Sequence, residues 1–442
     1  MGPILDPVAS DAAVPAQTGV VVIGGGIIGV SAALALAEAG VDVTLCEKGE
    51  IGGEQSSRNW GWCRKTNRDE REMPLIIEAL RMWEDMNRRV EGDTGYRQCG
   101  VLYVAESEAD QERHEAWVER ARPYQIGTRV IEGEELAAQL PGAAKRYRSA
   151  MYTPTDGRAE PQKAAPAIAL AARRLGATVL THCAVRGLDM QAGRVAAVVT
   201  ERGRIACGSV ILAGGAWSRL FAGSLGLGLP QLKVRSSVLR TEALEGGPET
   251  SAWLGEFAYR KRLDGGYTIA NGRGNLVPLT PDTFRLFLKF LPAARATRRG
   301  LRLQLDERFL AEARTPKRWA LDRESPFETT RVLDPDPAPA ITGSALKAAQ
   351  DAFPVFKRAR VAQQWAGLID VTPDAVPVIS PVAALPGLVI ATGFSGHGFG
   401  IGPAAGRLAA DMATGAPPIV DPAPFRFSRF TDGSPITIDA GI

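Results

Sequence analysis

The sequence has few of the residues that build disulfide frameworks and metal sites. Its 442 residues include only five cysteines and three histidines. No CxxC spacing and no close Cys/His pairing occurs among Cys46, Cys63, Cys99, Cys183 and Cys207. This pattern argues against a disulfide framework and a structural zinc site. We therefore predict no bound metal and a reducing, cytoplasmic location.

An excess of charge of one sign is also lacking. The 52 basic and 49 acidic residues give a formal net charge of +3. This balance is too even to indicate a nucleic-acid partner, so we predict none. A hydrophobic content of 45% is typical of a soluble globular protein with a sizeable core.

Long apolar runs are rare, and the one that suits a membrane span contains a turn. Residues 19–37 carry no charge, but three successive glycines, Gly24 to Gly26, indicate a turn between a strand and a helix. We therefore predict no integral membrane span. Residues 1–18 lack the basic and apolar regions of a secretory signal, and we expect them to form a flexible arm.

Residues 19–47 carry the pattern of a dinucleotide-binding unit. A short β-branched run, GVVVI, is followed by Gly24-x-Gly26-x-x-Gly29, an alanine-rich helical segment and a second strand that ends in Glu47. Gly24 permits a tight turn, Gly26 lets a pyrophosphate approach the backbone, and Gly29 allows close helix–strand packing. Glu47 lies 21 residues after Gly26, where a carboxylate accepts hydrogen bonds from ribose hydroxyls.

The acid at this position would repel a 2′-phosphate, which leaves NAD or FAD. The sequence has no second GxGxxG unit of the kind that a flavin–NADPH enzyme needs. It has instead two more strand–glycine-turn segments, GSVILAGGAWS at 208–218 and GLVIATGFSGHGFGIGPAAG from 387. In the second, clustered glycines expose backbone N–H groups at a helix start, which suits the electron-rich N1/O2 edge of a flavin. We therefore predict FAD.

These motifs together resemble the glycine oxidase/D-amino acid oxidase superfamily of FAD enzymes. Within it the chain is similar to the bacterial membrane-associated L-amino acid deaminases. The segments that carry this similarity are EKGEIGGEQSSR, THCAVRGLDMQAGRV, ILAGGAWSRLFAGSLGLGLP, WALDRESPFETTRV, FPVFKRARVAQQWAG and TPDAVPVIS. The resemblance implies a noncovalent FAD, a two-domain fold and hydride removal from a carbon that bears an amine.

The resemblance and the motif positions together predict an α/β fold in two parts. A Rossmann-type FAD-binding domain is assembled from the discontinuous segments 19–69, 151–225 and 359–442. An α+β substrate-binding domain with a large antiparallel sheet is expected from 70–150 and 226–358. Residues 276–330 form a helical insert within it, and 1–18 form the flexible arm.

The insert mixes aromatic residues with arginines, as in FRLFLKFLPAARATRRGLRL. This composition suits either contact with anionic lipid or an electron acceptor, or a helical flap packed on its own domain. The deaminases that the chain resembles are anchored by an N-terminal hydrophobic segment, which this sequence does not have. We therefore expect a soluble protein, or at most a peripheral membrane contact through 284–302.

The FAD contacts are predicted from the three glycine-rich segments and from the loop after Glu47. Within that loop, Glu54, Gln55, Ser56 and Arg58 match EQSGR of the deaminases. The predicted cofactor-binding residues are Gly24, Gly26, Ile27, Ile28, Gly29, Glu47, Lys48, Gln55, Ser56, Ser57, Arg58, Asn59, Trp60, Gly61, Val185, Ala213, Gly214, Trp217, Gly393, Gly396, His397, Gly398, Phe399, Gly400 and Ile401.

Amine dehydrogenation needs positioning more than side-chain chemistry, because the lone pair of a neutral amine helps to expel the hydride. A substrate carboxylate, however, favours an arginine. Related glycine oxidases carry one in a GLRP element, which here reads GLIDVTPD with Ile369 in place of the arginine. The deaminases use an arginine after the strand equivalent to GYTIA, which indicates Arg273 after a one-residue shift. A deaminase glutamine falls at Cys99, beside Gln98.

Several candidate site residues have two possible interpretations each. Asp370 either binds a cationic part of the substrate or caps a turn. His397 either lies over the flavin edge as a catalytic group or is structural. Trp60 and Trp62, which replace a deaminase tyrosine and glutamine, either cover the flavin and wall the substrate pocket or pack against the neighbouring domain. The predicted catalytic residues are Arg273, His397 and Asp370, and the predicted substrate-pocket residues are Trp62, Gln98, Cys99, Arg273 and Asp370.

The predicted activity is FAD-dependent oxidation of an amino acid or related amine. Hydride transfer to flavin N5 gives an imine, which hydrolyses to a keto acid and ammonia. One alternative is a dehydrogenase or oxidase of secondary amines, such as N-substituted amino acids or opines. Another is a non-catalytic flavoprotein subunit. The electron acceptor, oxygen or a quinone or other carrier, stays open.

Overall fold

The computed structural model describes residues 2–272, 274–296 and 301–438. Its strands, in chain order, are β1 (Val20–Ile23), β2 (Val43–Cys46), β3 (Trp62–Cys63), β4 (Arg97–Gln98), β5 (Val101–Ala105), β6 (Arg129–Glu132), β7 (Ser149–Thr153), β8 (Gly157–Arg158), β9 (Thr178–Leu180), β10 (Val185–Gln191), β11 (Arg194–Thr200), β12 (Gly203–Ala206), β13 (Ser209–Leu212), β14 (Leu232–Thr241), β15 (Ser251–Trp253), β16 (Phe257–Lys261), β17 (Tyr267–Asn271), β18 (Asn275–Pro278), β19 (Leu301–Gln304), β20 (Val361–Val371), β21 (Val378–Pro381) and β22 (Leu388–Thr392).

The α-helices connect and cover these strands. They are α1 (Ile27–Glu38), α2 (Gln55–Arg58), α3 (Met73–Arg89), α4 (Glu108–Ala121), α5 (Gly133–Gln139), α6 (Pro161–Arg174), α7 (Ser218–Ser224), α8 (Pro281–Arg285), α9 (Phe287–Ala296), α10 (Arg308–Arg314), α11 (Pro326–Thr329), α12 (Pro339–Ala352) and α13 (Gly398–Thr414).

A six-stranded sheet forms the nucleotide-binding half. Its order is β21-β22-β13-β1-β2-β9, with β21 antiparallel and the other strands parallel. The parallel strands are buried runs of β-branched and apolar residues, as expected for a sheet covered on both faces. Helices α1, α6 and α13 pack on one face, and the antiparallel sheet β10-β11-β12 covers the other. The predicted Rossmann-type fold is confirmed.

Close helix packing in this half depends on small residues. Helix α1 is an alanine-rich, almost wholly buried segment between α6 and α13. A Cβ atom added at Gly406 of α13 would lie 2.5 Å from the backbone nitrogen of Ala32 in α1. The glycine is therefore needed for the observed approach of the two helices.

A ten-stranded, largely antiparallel sheet forms the second half. Its path is β19-β18-β14-β17-β16-β15-β5-β7-β6, and β20 pairs with β14 along almost its whole length. Two strands of this sheet fall in segments that we predicted for the FAD-binding domain. They are β20 and the part of β7 that follows residue 150. Helix α3, assigned from sequence to the substrate-binding domain, packs on α13, and Trp83 Nε1 donates to the carbonyl oxygen of Gly400 at 2.8 Å.

The predicted helical insert contains α8, α9, α10 and α11 together with β19, which pairs in parallel with β18. Leu286 and Phe290 pack against Leu232 of β14 and hold the insert on the large sheet. Residues 297–300, which carry two of its arginines, lie outside the described residues.

The N-terminal residues 2–18 lie along the nucleotide-binding half. The backbone nitrogens of Asp6, Asp11 and Thr18 donate to carbonyl oxygens of Gln162, Val179 and Ala206. Val8 is also buried. The segment that we predicted to be a flexible arm therefore lies against α6, β9 and β12, whose carbonyl oxygens accept these hydrogen bonds.

Across the residues that the structure describes, no helix combines the length and the apolar character that crossing a membrane requires.

Candidate active site

A cavity of about 1270 Å³ lies between the two halves of the molecule. It runs from the turn after β1, past the loop before β3 and the loop after β22, to strands β14, β15 and β18 of the large sheet. The carboxyl ends of parallel strands β1 and β13 open into it, which is where ligands bind in open α/β sheets. The cavity thus joins a nucleotide-type turn to the substrate-binding sheet.

The turn after β1 can hold a phosphate only because it is made of glycine. Gly24 has a φ of +107°, a backbone conformation that side chains rarely adopt. A Cβ atom added at Gly29 would fall 1.9 Å from the carbonyl oxygen of Gly24. Gly26 precedes the first turn of α1, whose positive dipole end suits a pyrophosphate. The turn therefore fits the diphosphate of FAD.

The acid at the end of β2 stands beside this turn. Glu47 Oε2 accepts a hydrogen bond from Gly25 N at 2.6 Å, and Oε1 accepts one from Gly49 N at 2.7 Å. Burial raises the pKa of the Glu47 carboxyl, and Lys48 and the two backbone donors oppose that rise. The two backbone bonds fix the orientation of the carboxylate, and each oxygen retains a lone pair for a ribose hydroxyl.

The loop at 54–59 is held mainly by its own side chains. Ser56 Oγ accepts from Ile27 N at 2.8 Å, and Asn59 bridges Gln55 O, Ser56 O and Gly61 N. Gln55 Oε1 accepts from Asp370 N at 3.2 Å, which ties the loop to β20.

Two predicted cofactor ligands in this region have protein partners. Arg58 Nη1 pairs with Asp334 Oδ1 at 2.7 Å and also donates to Ala366 O at 2.8 Å. Lys48 Nζ donates to Glu54 Oε1 at 3.0 Å and lies 4.4 Å from the ring centroid of Trp217. Both residues line the cavity, but these side chains also fix the surrounding loops.

Asp370 is a buried carboxylate at the end of β20. Its Oδ2 atom accepts from Gln231 Nε2 at 2.9 Å, Thr392 Oγ1 at 3.1 Å and Gly393 N at 2.7 Å. Burial raises its pKa to about 6 despite these donors. The donors support the structural interpretation of Asp370, since they hold together β20, β22 and the start of the glycine loop.

His397 is also buried and lines the cavity. Its Nδ1 lies 3.0 Å from Oε2 of Glu72, and Arg68 Nη1 lies 3.5 Å from the same oxygen. Burial lowers the pKa of His397. For Glu72, burial acts to raise the pKa, but His397 and Arg68 outweigh it, and the pKa is lowered. The Glu72 carboxylate therefore lies between His397 and Arg68 and orients the imidazole ring.

Three tryptophans meet on the side of the cavity that faces the large sheet. The ring centroid of Trp60 lies 5.3 Å from that of Trp62 and 5.5 Å from that of Trp253. Tyr103 stacks on Trp253 at 5.7 Å behind them. The indole N–H of Trp62 is buried without a hydrogen-bond partner among the described residues. The rings of Trp60 and Trp62 meet edge to face, and the cluster gives that wall an aromatic, apolar surface.

Most of the predicted site residues line this one cavity. Those that do are Gly24, Gly26, Ile27, Ile28, Glu47, Lys48, Gln55, Ser56, Arg58, Asn59, Trp60, Trp62, Val185, Ala213, Gly214, Trp217, Asp370, Gly396, His397, Gly398, Phe399 and Gly400. Gly29, Ser57, Gly61, Gly393 and Ile401 lie outside the lining. Arg273 lies outside the described residues.

Gln98 and Cys99 are not part of the cavity lining. Gln98 is exposed and donates to Pro154 O at 3.3 Å, and Cys99 Sγ contacts Gly100 O and Ser251 Oγ. Strand β4, which ends at Gln98, pairs with β8 and turns this segment away from the cavity. The structure therefore does not support their predicted role as substrate-pocket residues.

Sequence reasoning also missed residues that line the cavity. Arg64 and Arg68 follow Trp62 closely but resemble ordinary charged residues at the start of a helical segment. Trp253, Ser236 and Asn275 come from three strands of the large sheet. Only the pairing of those strands brings them to the same wall, so no local pattern could have identified them.

A protein-family model described as "FAD dependent oxidoreductase" (DAO) matches residues 19–412. The fold is similar to that of an L-amino acid deaminase from Proteus myxofaciens in complex with anthranilate, with a TM-score of 0.94 and 34% identity over 98% of this chain and 97% of that one. It is also similar to the L-amino acid deaminase from Proteus vulgaris, with a TM-score of 0.92 and 33% identity over 97% of this chain and 100% of that one.

Curated relatives have lower identity. Glycine oxidase of Pseudomonas aeruginosa is 27% identical over 92% of this chain and 97% of its own length. Mitochondrial dimethylglycine dehydrogenase of Mus musculus is 24% identical over 93% of this chain, which spans only 44% of that longer protein.

Proposed function

The chain belongs to the DAO family of FAD-dependent oxidoreductases, and from that premise we propose that it oxidises an amino acid to its imine. Membership and relatives together establish the broader statement that it is an FAD-dependent amino acid or amine oxidoreductase. The proposed imine is hydrolysed by water to a keto acid and ammonia.

The main support for this proposal is the cavity shared by both halves of the molecule. One end has the glycine turn and Glu47, and the other has the tryptophan wall and the large sheet. Bound FAD supplies the hydride acceptor, its N5 atom. The chain's own residues hold the amine-bearing carbon near that atom, exclude water with the tryptophans, and need not supply a side-chain base.

We propose that FAD is held noncovalently. Of the cysteines, Cys46 lines the cavity, and its thiol lies at the end of β2 beside Glu47. The hydrogen bond that this thiol donates to Cys183, together with burial, raises its pKa well above the usual range, so the nucleophilic thiolate is scarce. Release of all the flavin into the supernatant after acid precipitation is the expected result, and flavin retained on the precipitated chain would contradict it.

The deciding experiment is anaerobic mixing of the holoenzyme with a panel of amines, followed by flavin absorbance. We expect bleaching by at least one primary α-amino acid. Bleaching by N-alkyl amino acids alone would favour a secondary-amine dehydrogenase or oxidase, an alternative consistent with relatives named sarcosine oxidase and dimethylglycine dehydrogenase. Bleaching by none of a broad panel would contradict the proposal. Readmission of oxygen then tests whether oxygen or another carrier is the acceptor.

We also propose a peripheral membrane contact by the insert of a cytoplasmic protein. A surface patch, which we call the insert patch, consists of exposed apolar side chains on α8, α9, α10 and the segment around β19. Its members are Phe284, Phe287, Leu288, Leu303, Leu305 and Leu310. Exposed leucines and phenylalanines in one segment are typical of a lipid or partner contact, and a quinone acceptor would be reached there.

A further inference from the structure

Five arginines line the cavity within the described part of the chain, and most of them have protein partners or lie at its rim. Arg58 is paired with Asp334, and Arg68 with Glu72. Arg113 pairs with Asp110 and is exposed, and Arg295 is exposed. Arg64 is the exception, because no carboxylate among the described residues lies within ion-pair distance of its guanidinium.

The hydrogen bonds of Arg64 use only one of its terminal nitrogens. Nη1 donates to the carbonyl oxygens of Thr66 and Asn67. In the described structure no protein acceptor is bonded to Nε or Nη2. These two nitrogens form one of the flat edges through which a guanidinium binds a carboxylate in two places. The Nε–Nη2 edge of Arg64 is therefore available to a ligand.

The side chain is held rigidly in this orientation. Its guanidinium carbon lies 5.4 Å from the ring centroid of Tyr103, which stacks on Trp253 of the tryptophan wall. The following turn is fixed by the buried Asp156, whose carboxylate accepts from Lys65 N at 2.8 Å and Thr66 N at 3.1 Å. A planar donor fixed by stacking loses little side-chain entropy when it binds an anion.

The surrounding charges also favour an anion here. Arg68, four residues on, is 2% exposed, and burial followed by the charge of Arg64 lowers its pKa to about 10. Glu72 compensates only one positive charge and shares its Oε2 atom with His397. Asp156 and Lys65 add one charge of each sign to this cluster. Its three basic side chains and two carboxylates therefore leave one excess positive charge beside the tryptophan wall.

We propose that Arg64 binds the carboxylate of the substrate through its Nε–Nη2 edge, with the tryptophan wall beside it. This proposal rests on the proposed function and deepens it, because it names the residue that holds the carboxylate of the amino acid. It also assigns to Arg64 the role that the sequence alone suggested for Arg273. Two guanidinium groups cannot both be the principal partner of a single carboxylate.

The test is a titration of the holoenzyme with benzoate, a planar carboxylate, and with benzamide, its neutral counterpart, followed by the change in flavin absorbance. Wild-type protein should bind benzoate at least tenfold more tightly than benzamide. R64M should weaken benzoate binding 10- to 100-fold and leave benzamide within threefold, as expected for loss of a charge-assisted hydrogen-bond pair. R64K keeps the positive charge but lacks the planar guanidinium, so its benzoate affinity should lie between those of wild type and R64M.

R113M is the matched control, because it removes an arginine from the rim of the same cavity; its benzoate affinity should stay within twofold of wild type. Bound flavin content establishes that each variant is folded. Unchanged benzoate binding in R64M, loss of binding in R273M alone, or equal wild-type affinity for benzoate and benzamide would each overturn the proposal. Bleaching of the wild-type flavin by substrate is measured separately. If substrate bleaches the flavin but R64M leaves benzoate binding unchanged, the role of Arg64 is contradicted and the proposed function is not.

Discussion

Asp370 shows what a single buried charge costs at the junction of the two halves. The side chain is 2% exposed and binds three donors, yet its pKa rises to about 6. Those donors stabilise the ionised form, and the direction of the shift means that loss of water outweighs them. The residue therefore holds β20 and β22 together most strongly when it is protonated.

This shift predicts a pH-dependent stability that D370N removes. The folded-state pKa is above the unfolded value, so the contribution of Asp370 is complete below about pH 4 and is lost as pH rises through about 6. Between pH 4 and pH 8, wild type should lose about 2 kcal/mol of stability relative to D370N, whose amide oxygen can still accept from the donors. Apparent Tm of the two holoenzymes across this range measures it.

D42N is the control, because Asp42 is an exposed carboxylate on the same half of the molecule. The difference in apparent Tm between D42N and wild type should be the same at every pH. A difference between D370N and wild type that does not vary with pH would mean that Asp370 titrates outside this range.

Local pattern explains why the nucleotide-binding residues could be predicted and the substrate wall could not. The glycines at 24–29, the helix after them and Glu47 lie within one short stretch, and each has a backbone or charge requirement that identifies it. Asp370 and Arg58 instead take partners from distant segments, such as Gln231 and Asp334. The sequence could not indicate these partners, since only the pairing of β14 with β20 and the path of the chain after α11 bring them together.

At the scale of elements, a buried ion pair joins β16 to the segment before α6. Arg260 Nη1 and Nη2 lie 2.8 and 3.0 Å from the two carboxylate oxygens of Glu160, and Nε donates to the carbonyl oxygen of Trp60. Arg260 is 1% exposed. The pair connects the large sheet to the loop that begins the tryptophan wall.

Removal of one partner should cost far more than removal of both charges. R260M leaves the Glu160 carboxylate buried without its main partner, and we expect a loss of about 3–5 kcal/mol of stability. R260M/E160Q should recover at least half of that loss, because the glutamine oxygen can still accept from Leu263 N. Denaturant unfolding of the holoenzymes measures both changes.

The surface pair of Arg146 and Glu134 provides the comparison, since these side chains are 84% and 83% exposed. R146M should change stability by less than about 0.5 kcal/mol. A similar small effect for R260M would mean that water enters the junction and screens Glu160. A double variant no more stable than R260M would mean that shape, and not uncompensated charge, causes the loss.

At the scale of the whole molecule, the insert patch lies apart from the main cores of the two halves. Leu286 and Phe290 face Leu232 and attach the insert, while the patch residues Leu288 and Leu305 are 80% and 70% exposed. The two faces thus have separate roles, because one set of apolar residues packs inward and the other remains in water. A variant of the outer set should leave the fold and the cavity unchanged.

L288S/L305S should therefore weaken binding to anionic phospholipid vesicles at least tenfold without changing flavin content. Burial of one leucine contributes about 1.5–3 kcal/mol, so loss of two exceeds this bound even when each is only partly inserted. Co-sedimentation with vesicles over a lipid titration measures the affinity. L175S is the matched control, since Leu175 is 51% exposed at the end of α6, outside the patch. Equal vesicle binding by wild type and L288S/L305S would contradict a membrane contact through this face, and equal weakening by L175S would indicate nonspecific adsorption.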